Sequence, residues 1–202
     1  MRRNPDRPGS LRGLVSSAVE SERPQPIGGF KPIQLIRGLP GHPLHPPLTD
    51  AAIGAYTAAT VLAVLHVLGV SEDNTVTAWW LTLVVAQVVS GLAAITGFAD
   101  WLQISFGTRL WRTATAHFVA MVLTSAIFAL TIFLGHGDYV DRDISGVPFL
   151  LTIIGFGMLT LGGWLGGTIV FVHGMRVLGL AEEPAAKAVS PVPTPEKEKA
   201  ER

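Results

Sequence analysis

Long apolar runs separated by short polar segments dominate the pattern of the chain. Four such runs occupy residues 48–70, 76–99, 113–135 and 147–173. None of them contains a lysine, an arginine or a glutamate. Each reaches the roughly 20 residues that a helix needs to cross a bilayer, and each is apolar on every side. The pattern therefore predicts an all-α integral membrane protein, a bundle of four spanning helices.

Composition agrees with this prediction. Hydrophobic residues make up 49% of the chain and charged residues 15%, whereas a soluble domain carries about 25% charged residues. The chain has no cysteine, which excludes disulfides, iron–sulfur clusters and thiolate-bound haem. Nucleotide and nucleic-acid motifs are absent, so we expect no nucleic-acid partner. No signal-peptide pattern precedes the first run, and we expect the N-terminal segment to remain.

The segments that flank the apolar runs have a different composition. Residues 1–40 are rich in proline, glycine, serine and arginine, and residues 181–202 alternate proline, alanine and charged residues. Such segments cannot bury enough apolar surface to fold. We predict a mostly disordered tail over 1–40, a four-helix transmembrane domain over 41–180, and a disordered charged tail over 181–202.

The distribution of positive charge predicts the orientation of the bundle. If the four helices alternate in direction, both tails and the loop 100–112 lie on one side, together with every lysine and arginine except Arg142. By the positive-inside rule that side is cytoplasmic, and so are both termini. The loop 100–112 mixes aromatic residues with two arginines, which indicates a segment that lies along membrane lipid.

Four of the six histidines fall at the predicted inner end of the bundle. They are His42 and His45 before the first run, His117 early in the third run, and His173 at the end of the fourth. His117 lies about one helical turn, roughly 5–6 Å, below the interface. Ionisable residues at that depth usually face the interior of the bundle and have a partner. The remaining two, His66 and His136, fall at the outer ends of helices, where we expect interfacial roles.

The segment around His42 and His45 has a restricted geometry, because each histidine precedes a proline. Such residues favour extended or polyproline conformations. In a polyproline helix, residues three apart share a face and stand about 9 Å apart. One imidazole then ligates while the other contacts a carboxylate, or both lie in headgroup water without a ligand.

Two aspartates border the same end of the bundle. Asp50 opens the first run, where a carboxylate suits a helix N-terminus and capping is its expected role. Asp100 closes the second run, where the helix dipole disfavours a negative charge. We therefore expect Asp100 to have a partner, which is Arg109, Arg112 or a histidine.

Glycines mark one face of the fourth run. His173 shares that face with Gly162 and Gly166, because steps of three and four residues keep to one side of a helix. A face so nearly bare of side chains permits either close helix packing or a flat ligand lying against the backbone.

The string GHPLHPPLTDAAIGAYTAATVL, residues 41–62, resembles the opening of a bacterial family of four-helix membrane proteins known as domain of unknown function 2231. That family carries a histidine early in its third helix and a glycine-rich fourth helix that closes with an HG pair, matched here by His117 and residues 162–174. The resemblance covers about residues 40–180 and implies a location in the bacterial inner membrane. Some relatives are joined to Rieske-type domains, which implies electron transfer with a separate redox protein or within a larger membrane complex.

Three functions fit these observations. The first is binding of haem b, with His117 and either His45 or His173 as axial ligands and His42 as a further contact. The second is a divalent metal site, a zinc site, built from His45, His117 and His173 with Asp50 or Asp100. The third is a non-enzymatic membrane subunit or assembly partner, in which the histidines satisfy headgroups and helix ends. No pattern in the chain indicates a reaction or a substrate.

Overall fold

The computed structural model of this protein describes residues 33–39 and 42–177. The described elements follow one another as α1 Gln34–Arg37, β1 Gly38–Leu39, β2 His42–Pro43, α2 His45–Val67, α3 Glu72–Trp101, α4 Arg109–Leu134, α5 His136–Asp141 and α6 Gly146–Phe171. The fold is thus mostly helical.

Four of these helices are long and apolar enough to cross a membrane, namely α2, α3, α4 and α6. They contain 23, 30, 26 and 26 residues. At a rise of 1.5 Å per residue, even the shortest spans about 35 Å, which exceeds the hydrocarbon core of a bilayer. The prediction of four spanning helices is confirmed.

The segment before α2 has more structure than the sequence predicts. α1 packs against α3, and β1 pairs antiparallel with β2, so regular structure begins before the predicted tail boundary at residue 40. His42 is extended, as expected before a proline, but His45 is the first residue of α2. Residues 1–32 of the predicted N-terminal tail and the whole predicted C-terminal tail, residues 181–202, lie outside the described residues.

The start of α2 also differs from the prediction that Asp50 caps it. Leu44 is the N-cap residue and makes no side-chain capping bond, and a proline occupies the first turn. Proline fits there because its missing N–H group would have had no partner inside the helix. Asp50 lies one turn further along α2 and is exposed, so its predicted capping role is wrong.

The four spanning helices form two hairpins. α2 packs most extensively against α3, and α4 against α6, while α3 with α4 and α2 with α6 make the smaller contacts between the hairpins. The helices therefore follow one another around an up-down-up-down bundle in which α2 stands diagonally opposite α4.

Part of the pattern of buried positions recurs in both hairpins. The buried residues along the middle of α3 are Trp79, Leu83, Ala86, Ser90 and Ala93, and those of α6 are Pro148, Thr152, Gly155, Leu159 and Gly162. One shift of 69 positions, from 79 to 148, aligns all five pairs. A shift of 72, from 52 to 124, likewise aligns Ala52, Tyr56 and Ala59 of α2 with Thr124, Phe128 and Thr131 of α4. These matches, together with the order of the helices, indicate that the two hairpins are versions of one unit and imply an approximate two-fold axis along the bundle.

Aromatic rings fill the centre of the bundle on this axis. Tyr56 and Phe128 stack with ring centroids 4.0 Å apart and an interplanar angle of 11°. Beside them the Tyr56 hydroxyl donates to Gln87 Oε1 at 2.7 Å, and Gln87 Nε2 donates to Ser125 Oγ at 2.8 Å. Gln87 therefore bridges α2, α3 and α4, whereas Phe156 occupies the equivalent position of the second hairpin.

Candidate ligand site

Two imidazoles meet at the end of the bundle where α2 and α4 begin. His45 comes from the first turn of α2, and His117 from the third turn of α4. Their ring centroids lie 6.4 Å apart, and the ring planes are nearly perpendicular at 81°. Both residues are half-buried. Of the four histidines predicted to share this end, the structure brings these two together.

A backbone carbonyl holds the His45 ring. His45 Nδ1 lies 2.8 Å from the carbonyl oxygen of Ala93 in α3. Because a carbonyl only accepts, Nδ1 carries the hydrogen and Nε2 keeps a free lone pair. Thr49 Oγ1 lies 3.4 Å from Nε2, but this hydroxyl donates to the His45 carbonyl at 2.9 Å. Since Thr49 already donates its hydrogen to that carbonyl, the lone pair of His45 Nε2 has no dedicated hydrogen-bond donor among the described residues.

The His117 ring is held in the same way by the second hairpin. His117 Nδ1 lies 2.8 Å from the carbonyl oxygen of Gly162 in α6, so Nδ1 again donates and Nε2 is left as the acceptor. Within residues 33–39 and 42–177, His117 Nε2 has no hydrogen-bond partner. The pair thus presents two neutral nitrogens with available lone pairs.

Each ring lies against the backbone of a glycine. A Cβ atom added to Gly97 would stand 2.6 Å from His45 Cε1, and one added to Gly166 would stand 3.2 Å from His117 Cε1. Each glycine comes four residues, about one helical turn, after the residue whose carbonyl accepts from the same ring. Imidazole, carbonyl and glycine therefore recur as a set in both hairpins.

The structure does not add the other two inner histidines to this pair. His173 Nε2 lies 3.1 Å from Thr113 Oγ1, and His42 is exposed on β2. Neither makes a ring contact with the pair in the described part of the chain. The glycine face of α6 is occupied by packing, since Gly162 contacts α4 and Gly166 carries the ring of His117 rather than that of His173.

Asp100 lies close to the site but has its own partners. Its buried carboxylate accepts from Arg37 Nε at 2.8 Å and from Arg176 Nη1 at 2.6 Å. The prediction that Asp100 needs a partner is confirmed, but Arg109 and Arg112 are not those partners. Both are exposed on the first turn of α4, whereas the segments before α2 and after α6 converge on the end of α3.

The predicted zinc ligands are not assembled around one point. Asp50 is exposed, Asp100 is engaged by two guanidinium groups, and His173 bonds to a threonine. Across the described ranges, no three His, Cys, Asp or Glu side chains are placed to hold a metal ion. A four-ligand protein site, which structural zinc requires, is therefore not formed by these residues.

The pair itself has the spacing of two imidazoles on opposite sides of one metal ion. With a metal–nitrogen distance of about 2.0–2.1 Å and about 1.1 Å from nitrogen to ring centre, the two centroids would stand about 6 Å apart. The observed 6.4 Å agrees with this separation. The distance between the two rings is therefore compatible with one metal ion between them.

The two histidines at the opposite end of the bundle, His66 and His136, contact neighbouring elements of the fold. His66 is buried, and its Nε2 accepts from the N–H of Ile144 at 3.0 Å and lies 3.1 Å from Asp143 Oδ1. His136 is exposed and packs its ring against Trp80, with centroids 5.5 Å apart. The His66 contacts therefore fix the connection between α5 and α6, and the His136 contact joins α5 to α3.

Sequence reasoning missed the groups that orient the pair. It did not single out Gly97 or the Ala93 carbonyl, because a glycine in an apolar run carries no chemical signal. Aligning the second and fourth runs with the shift of 69 positions would have matched Gly97 with Gly166. The internal repeat was therefore the signal in the sequence that could have identified Gly97.

Comparison with known proteins gives one result. Residues 41–179 match a family described as "Predicted membrane protein (DUF2231)". No curated protein and no solved structure matches the chain.

Proposed function

The chain belongs to the DUF2231 family of predicted membrane proteins, and on that premise we propose that it holds one metal centre between His45 and His117. The two Nε2 atoms would be its protein ligands. One observation carries the proposal: both rings donate Nδ1–H to a backbone carbonyl at 2.8 Å. Metal-binding histidines are typically oriented by such a bond, which fixes the tautomer and makes the other nitrogen more basic.

A centre with only two protein ligands must be of a kind that takes its other ligands from elsewhere or needs few ligands. Two imidazoles complete the coordination of haem iron, whose porphyrin supplies the other four nitrogens. They also suit a bare ion of low coordination number with affinity for imidazole, such as copper(I). The shared chemistry is a transition metal that accepts two opposed nitrogens, and haem b is the form that histidines on facing helices of a bundle commonly bind.

A bound iron or copper would supply one-electron redox chemistry. The residues of the chain would hold the metal, keep both ligands neutral and shield the site from bulk water. We propose that the site lies at the cytoplasmic face of a bacterial inner membrane, because the lysines and arginines concentrate at that end. Electron transfer would require a separate redox protein or a larger membrane complex on that side.

A direct test is to purify the full chain from haem-replete membranes and record its visible spectrum and metal content. We expect about one metal per chain. If the centre is haem, the spectrum should show a Soret band; if it is a bare ion, the protein should contain copper and show no Soret band. His45→Ala and His117→Ala should each lower the metal content at least about tenfold. His136→Ala is the matched control, since His136 is exposed at the opposite end, and it should retain full content.

Two results would contradict the proposal. One is metal content that stays unchanged in both His45→Ala and His117→Ala. The other is a parent protein that carries neither haem nor metal after growth with both supplied. Either would favour a non-enzymatic membrane subunit, in which the two imidazoles only join helices.

A further inference from the structure

The internal repeat includes the residues of the ligand site as well as the buried positions. In α2, His45 precedes Tyr56 by eleven positions, and in α4, His117 precedes Phe128 by the same number. Both pairs of equivalent residues meet across the centre of the bundle, at 6.4 Å for the imidazoles and at 4.0 Å for the aromatic rings. The imidazole pair therefore lies on the approximate two-fold axis.

We infer that the site consists of two equivalent half-sites, one from each hairpin, in which Gly97 and Gly166 are the positioning residues. Each half-site contains an imidazole, the carbonyl that fixes its tautomer and the glycine on which its ring lies. This inference rests on the proposed function, because it names the residues that set the ligand geometry of the metal centre.

Space, rather than backbone conformation, explains why glycine is needed at these two positions. Both lie inside long helices, and any side chain would begin 2.6 Å from the His45 ring or 3.2 Å from the His117 ring. Gly91 and Gly163, in the same two helices, have no such neighbour: a Cβ at either position would meet nothing within 4 Å. In α6, Gly155 and Gly162 also have close neighbours, which are Phe128 and Met121, whereas the close neighbour of Gly97 and of Gly166 is an imidazole.

Equivalence of the half-sites restricts what the site can bind. A ligand on the axis meets the same atom, Nε2 of a histidine in the same tautomer, from each hairpin. It must accept two like nitrogens, which a metal centre with two opposed imidazoles does. Such a ligand also links the hairpins where their mutual contact is smaller than the contact inside each hairpin. Binding should therefore need both halves, and neither half alone should retain it.

The test compares Gly97→Ala and Gly166→Ala with the matched controls Gly91→Ala and Gly163→Ala in the full chain. The first measurement is ¹⁵N NMR of the histidine rings in metal-free protein, which reports tautomer and hydrogen bonding without any ligand. The His45 signal should shift in Gly97→Ala and the His117 signal in Gly166→Ala, and both should stay in place in the controls.

The second measurement is binding of haem b and of copper(I), each added alone. Gly97→Ala should weaken binding at least about tenfold, as loss of an orienting group around a metal typically does. Gly166→Ala should weaken it less, because its Cβ has 3.2 Å of room instead of 2.6 Å. The controls should bind within about twofold of the parent.

The two measurements separate failure of the inference from failure of the proposed function. Unchanged imidazole signals in both test variants would overturn the inference, whatever the metal content. Shifted signals in a parent that binds no metal would support the positioning role and overturn the metal centre. If Gly97→Ala folds poorly, His45→Ala/Gly97→Ala should recover stability, because the ring that collides with the new methyl group is gone. A penalty that persists in the double variant would also overturn the inference.

Discussion

Among single residues, Asp100 connects three separate segments of the chain. It closes α3 and binds Arg37 from the segment before α2 and Arg176 from the segment after α6. Arg176 also donates to the carbonyl of Arg37 at 3.0 Å. The side chain of Asp100 is 9% exposed and those of the arginines are 25% and 21% exposed. The three charges therefore form a largely buried cluster beside the ligand site.

We predict that Asp100→Asn destabilises the protein by about 2–3 kcal/mol, because it leaves two largely buried guanidinium groups without a carboxylate. Titration with a denaturing detergent in mixed micelles measures this free energy of unfolding. Asp50→Asn is the control, since Asp50 is exposed, and should change stability by less than about 0.5 kcal/mol. Equal effects of the two substitutions would show that the cluster does not stabilise the fold.

Residue-level contacts at the site were only partly predictable. The alternation of helices places His45, His117 and His173 at one end, and this follows from span length and direction alone. Which rings meet depends on the rotation of each helix about its axis, and one residue corresponds to about 100° of rotation. The sequence therefore could not decide between His45 and His173 as the partner of His117.

At the scale of elements, the two hairpins share a burial pattern but differ in what fills it. Phe128 lies against the backbone of Gly155, where an added Cβ would stand 2.9 Å from the ring. The equivalent ring, that of Tyr56, has Ala86 at the position equivalent to Gly155. The span boundaries were predictable because hydropathy is a local property. The pairing of the helices depends on side-chain shapes that come together only in the folded bundle.

Gly155→Ala should destabilise the protein by about 1–3 kcal/mol, because the new methyl group overpacks the contact with Phe128. Gly157→Ala in the same helix is a matched control, since a Cβ there would meet nothing within 4 Å. Thermal unfolding of both variants in detergent provides the comparison. A Gly155→Ala variant as stable as the control would mean that α4 and α6 can separate at this point without cost.

For the whole molecule, the absence of cysteine makes the orientation directly measurable, because one introduced thiol is the only thiol in the chain. Ser105 in the loop before α4 and Asp141 at the end of α5 are both exposed and lie at opposite ends of the bundle. From the positive-inside rule we predict that a membrane-impermeant maleimide labels Asp141→Cys on intact cells. It should label Ser105→Cys only after the cells are permeabilised. The reverse pattern would place the imidazole pair at the outer face.

The single Gln87 bridge has a consequence for how the protein assembles. Two hairpins of similar shape could pair with their counterparts in another copy as readily as with each other. Gln87 reaches both Tyr56 and Ser125, and Ser125 belongs to the other hairpin. Pairing two identical first hairpins would leave this amide without the serine, a loss of up to about 1–2 kcal/mol inside a membrane. This polar contact therefore favours the pairing of a first hairpin with a second hairpin over the pairing of two first hairpins.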